Sequence, residues 1–72
     1  MGSFEIIKKR LKECIKESGL TTVEIASKIG VSSGMVTQYC TTQKLPRLDT
    51  FADLCKVLHV SADYILGIGN YW

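Results

Sequence analysis

The sequence predicts an all-α fold, a compact bundle of five short helices, on three observations. Apolar residues recur at intervals of three and four, hydroxyl residues stand just ahead of several of these runs, and glycine or histidine stands just behind them. No stretch alternates as a half-buried strand would. The 72 residues suffice for one domain, and a chain this small buries only about 60% of its unfolded surface, so it needs an efficient core or a partner subunit. We expect the domain to span residues 1–67 and a short apolar tail to span 68–72.

The first helix is expected from Ser3 or Phe4 to about Ser18, with Ser3 as its cap and Gly19 closing it. Phe4, Ile7, Leu11 and Cys14 form its inward stripe. Lys8, Lys9, Arg10, Lys12 and Lys16 lie on its other faces, as a solvated surface or as a patch turned toward phosphates.

Thr21-Thr22-Val23-Glu24 fits a capping box, in which the Thr21 hydroxyl accepts from an amide three residues on and Glu24 reaches back to the cap. Val23, Ile25, Ala26 and Ile29 then point inward, and Gly30 ends the second helix in the left-handed conformation. Ser32 caps a third helix with Met35, Val36 and Tyr39 inward. Two helices joined by about four residues that include a glycine make a helix-turn-helix unit, whose second helix lies in the major groove of DNA.

Thr41 to Arg47 reads as a polar loop holding the only proline, Pro46. A fourth helix is expected near Leu48 or Asp49, with Phe51, Leu54, Cys55 and Leu58 inward. His59 takes the helix-ending left-handed place, which histidine tolerates. Ser61 caps a last helix from Ala62 to Leu66, followed by Gly67.

Composition limits the function classes. Apolar residues at 46% and charged residues at 22% are those of a globule, not of a disordered chain. A net charge of +2 permits nucleic-acid binding without arguing for it. Cys14, Cys40 and Cys55 are widely spaced, with no CxxC pair, so neither a disulfide framework nor a zinc site is expected; buried, reduced thiols are. The opening residues lack a long apolar run, so the sequence predicts no signal peptide, no membrane span and a cytoplasmic place. One histidine and no nucleophile–base constellation argue against an enzyme. No metal, cofactor or small-molecule substrate is expected.

The ordered set Gly19-Leu20-Thr21, Glu24-Ile25-Ala26, Ile29-Gly30-Val31-Ser32, Val36, Tyr39, Pro46, Leu48, Thr50, Val60-Ser61 and Asp63-Tyr64-Ile65-Leu66-Gly67 resembles the phage repressor and Cro type of helix-turn-helix domain, the XRE-like family. The resemblance covers about residues 4–67. It implies a lambda-repressor-like five-helix bundle, binding to double-stranded DNA at a pseudo-palindromic operator, and a homodimer that regulates transcription by occupying it. Ser33, Gly34, Thr37 and Gln38 fall on the positions that read bases, where the Gln38 amide can pair bidentately with adenine. Thr22, Ser32, Thr41, Thr42, Gln43 and Lys44 fall on positions that touch phosphates.

The chain departs from the family at several points. Thr22 stands where a glutamine is common. Ile15 and Cys40 replace an arginine and a glutamate that form an ion pair, and we expect the two to touch as an apolar pair. Thr42 replaces a glycine, so the loop after the third helix is expected to take another path. The exposed face of the third helix has no Lys or Arg, which leaves open a second reading, a protein-interaction module such as an anti-repressor or antitoxin with weak DNA binding. In the tail, Ile68, Tyr71 and Trp72 form either a dimer contact or a flap on the domain's own core.

Overall fold

A computed structural model describes residues 3–69. Five helices follow in order: α1 (Ser3–Glu17), α2 (Thr22–Ile29), α3 (Ser33–Thr41), α4 (Leu48–Leu58) and α5 (Ala62–Leu66), with no strand among the described residues. Helix α1 packs against α3 and α5, and α2 packs against α3 and α4. The Cα radius of gyration is 11.1 Å, matching the roughly 11 Å of a close-packed chain of this length.

Local chemistry sets most of the ends. The Thr21 hydroxyl accepts from the Glu24 amide at 3.1 Å and the Glu24 carboxylate accepts from the Thr21 amide at 2.8 Å, which completes the capping box. Ser32 and Ser61 cap α3 and α5 by accepting from the amides of Met35 and Asp63. Three helices end alike, with a left-handed residue followed by an apolar one. Gly30, His59 and Gly67 have φ of 75°, 58° and 78°. The next amides, of Val31, Val60 and Ile68, donate back to the carbonyls of Ala26, Cys55 and Asp63.

Helix α3 ends differently. Thr42 is extended at φ −122°, and both its amide and its hydroxyl donate to the Gln38 carbonyl, at 3.0 and 2.8 Å. Thr42 thus avoids the left-handed conformation that a β-branched residue resists.

The core unites Leu11, Cys14 and Ile15 of α1 with Ile25, Ala26 and Ile29 of α2, Val36 and Tyr39 of α3, four residues of α4 and Ile65. Ile15 is buried and Cys40 is half-buried against this core.

Three expectations need correction. Ser3 already lies within α1, not in the capping place before it. Phe4 and Val23 keep the helical spacing of their stripes but are exposed, Val23 by 65%. Both sit in the first turn of their helices. Cys40 is only half-buried, whereas Cys14 and Cys55 are buried, and all three thiols are free. Burial, with smaller contributions from Cys55, Glu17 and Glu13, pushes the Cys14 thiol up to about 11. Asn70, Tyr71 and Trp72 of the expected tail lie outside the described residues.

Candidate nucleic-acid interface

Val36 and Tyr39 anchor α3 in the core, and the 3.6-residue period then turns Ser33, Gly34, Thr37 and Gln38 outward. All four are exposed on the one helix. Gly34 has ordinary helical backbone, and a Cβ added there would meet only the Ser32 hydroxyl at 3.9 Å. The fold therefore does not require glycine at this position.

The hydroxyls are less available than their number implies. Thr37 donates to the Ser33 carbonyl at 3.2 Å, and Thr41 donates to the Thr37 carbonyl at 2.9 Å. Thr42 donates to Gln38 and accepts from the Lys44 amide at 3.1 Å. A hydroxyl has a single proton to give, so in this arrangement these three threonines offer lone pairs outward. They suit base amino groups better than phosphates, which only accept. Ser32 differs. Its oxygen accepts from the Met35 amide at 3.1 Å, a use that does not consume its proton. Thr22 is half-buried at the first turn of α2, while Gln43 and Lys44 are exposed.

Two cations of α1 hold helix ends. The Lys8 ammonium donates to the Tyr39 carbonyl at 2.5 Å and to the Lys44 carbonyl at 2.7 Å, joining the last turn of α3 to the following loop. Helix α3 has no basic residue in its own last turn, so Lys8 supplies the positive charge that a helix C-terminus favours. Burial pulls the Lys8 pKa below its ordinary value, against a smaller opposing effect of Cys40. Arg10 donates to the Tyr64 carbonyl at 2.6 Å, and its guanidinium lies 4.3 Å from the centre of the Tyr64 ring. Sequence periodicity placed both side chains on an outward face without finding their partners. The one local signal was an α3 terminus lacking both a basic residue and a glycine.

Among the described residues no cluster of His, Cys, Asp and Glu has the makings of a metal site, and no helix is long and apolar enough to cross a membrane.

A family model described as helix-turn-helix matches residues 11–65. Three regulators of Bacillus subtilis (strain 168) are similar to the chain. The HTH-type transcriptional regulator ImmR is 36% identical over 59 residues, covering 82% of this chain and 46% of its own. The uncharacterized HTH-type transcriptional regulators YobD and YqaE are 37% identical over 60 residues and 33% identical over 58. These matches cover 83% and 81% of this chain, and 54% and 50% of theirs. The chain thus spans about half the length of the curated relatives it matches. No solved structure gives a significant match.

Proposed function

Because the chain belongs to the helix-turn-helix family, of the phage repressor and Cro type, we propose that it binds double-stranded DNA in a sequence-specific way and regulates transcription by occupying an operator. The observation that carries this reading is the outward row Ser33, Gly34, Thr37 and Gln38 on a helix whose opposite face is locked into the core. Gln38 reads adenine through its amide, while Ser33 and Thr37 contribute less selective contacts to base edges. Gly34 lets the backbone come close. Thr22, Ser32, Gln43 and Lys44 hold the phosphate backbone, with Thr41 and Thr42 shaping the loop beside it and touching the same strand.

The working unit is a homodimer on a pseudo-palindromic site, with half-sites one helical turn apart, about 34 Å. Support for pairing comes from apolar side chains left outside the core: Leu48 is 84% exposed, Ile68 is 74% exposed, and Leu45 and Ile6 are also exposed. Leu45 and Leu48 border a shallow apolar recess of about 100 Å³ that Ile7, Leu66 and Phe51 also line.

The test is selection of duplexes from a random-sequence pool, followed by titration of the selected and unselected DNA. We expect a selected site bound at least a hundredfold more tightly than random duplex, and Gln38→Ala to lose about 1–3 kcal/mol of discrimination at one base pair. Failure to select any site, with Gln38→Ala unchanged, would assign the face to a protein partner instead.

A further inference from the structure

Phosphate binding needs cations, yet the whole segment from Thr21 to Lys44 holds only Lys28 and Lys44. Three of its threonine hydroxyls also give their protons to carbonyls. The missing charge stands across a groove. A surface channel of about 480 Å³ runs between the first half of α1 and the end of α3, with Lys8, Lys9 and Lys12 on one wall and Thr41, Thr42 and Gln43 on the other.

We propose that this groove seats the DNA backbone, and that Lys9 and Lys12 of α1 are phosphate-binding residues continuous with the loop after α3. The inference rests on the DNA-binding reading above and extends its contact surface to a helix outside the helix-turn-helix unit.

Three observations lead there. Lys9 and Lys12 are exposed, whereas Lys8 already spends two of its three N–H donors on the Tyr39 and Lys44 carbonyls. Burial raises the Cys40 thiol at the end of α3, and the smaller opposing effects of Lys8, Lys12 and Lys16 are consistent with lysines of α1 lying close to that helix end. The groove holds three ammonium groups against a single carboxylate, Glu5, so the site favours an anion. Its other wall is the loop that follows the base-reading row, so a strand tracked by Gln43 meets the lysines next. The partner is a run of DNA phosphates: exposed ammonium groups along an open channel follow a polyanion, without the buried, convergent donors that would hold one small anion.

The experiment is binding of the full chain to a selected duplex and to random duplex across 50–200 mM salt. Each phosphate contact contributes about 0.9 to the slope of log affinity against log salt. We expect Lys9→Gln and Lys12→Gln each to lower that slope by about 0.9 on both duplexes, with the preference for the selected site unchanged. The loss of affinity across that salt range then eases by about three- to fourfold per lysine. Lys56→Gln, an equal charge loss on α4, should leave the slope as it is. Unchanged slopes in both α1 variants overturn the groove assignment while leaving the DNA reading intact. An equal drop with Lys56→Gln also overturns it, since net charge would then suffice. If the unaltered chain selects no duplex, the DNA reading itself fails.

Discussion

Gly34 separates what the fold needs from what the surface needs. Its backbone is ordinary helix and there is room for a methyl group, so alanine there should raise stability by up to about 1 kcal/mol through helix propensity alone. The same methyl group stands in the middle of the proposed base-reading row. We therefore expect Gly34→Ala to raise the melting temperature by a few degrees while weakening binding to the selected duplex at least tenfold. A variant more stable and equally tight would remove Gly34 from the contact surface. Gln38 is the complementary case, a side chain the fold does not use and the proposed interface does.

At the scale of the helix, the capping box of α2 is the clearest local determinant. Thr21→Ala leaves the Glu24 amide without its acceptor and should cost about 1 kcal/mol, or some 4–8 °C in a domain of this size. Hydrogen bonds from the Thr21 amide and hydroxyl hold the Glu24 carboxyl below the ordinary carboxylate range. A depressed folded value means that its stabilising effect is complete above the unfolded carboxylate range and disappears as pH falls through the folded one. Melting curves from pH 7 down to pH 3 should therefore fall more steeply for the wild type than for Glu24→Gln, and parallel curves would rule the carboxylate out. The caps at Thr21, Ser32 and Ser61 and the left-handed corners were legible because each is decided within five or six residues. The outward positions of Phe4 and Val23 were not, since periodicity says which residues share a face and not how far the covering neighbour extends. Lys8 and Arg10 were illegible for a similar reason. Their acceptors lie 31 and 54 residues away, and nothing near them in the chain marks the pairing. The outward placing of Ser33, Gly34, Thr37 and Gln38 follows from the anchoring of Val36 and Tyr39, while their proposed role in reading bases comes from the family resemblance; the groove beside them exists only once α1 lies against α3.

Considered as a whole, the molecule is held by burial. The one ion pair found among the described residues, Arg47 with Asp49 at 3.3 Å, is exposed on both sides and contributes little. No side-chain N or O atom is buried without a partner among those residues, so the core carries no such penalty. Of the large apolar side chains left exposed, Leu48 is the most so, and under the proposed dimer a second subunit removes it from water. Leu48→Asp should shift the sedimenting species from dimer to monomer at micromolar concentration with little change in melting of the monomer, because that side chain is 84% exposed. A mass unaffected by the change, whether that of a monomer or of a dimer, would put the pairing surface elsewhere or nowhere.

The three matching corners at Gly30, His59 and Gly67 also bear on how the chain reaches its shape. Each closes with a hydrogen bond spanning five residues, so each reversal of direction can form before any distant segment has arrived. Little loop entropy then stands between the coil and the bundle. Chains dominated by such nearby pairings cross their barrier in microseconds to milliseconds. Unprotected apolar surface, such as the stretch from Leu54 to Leu58, would be exposed to other chains only that briefly during each folding event.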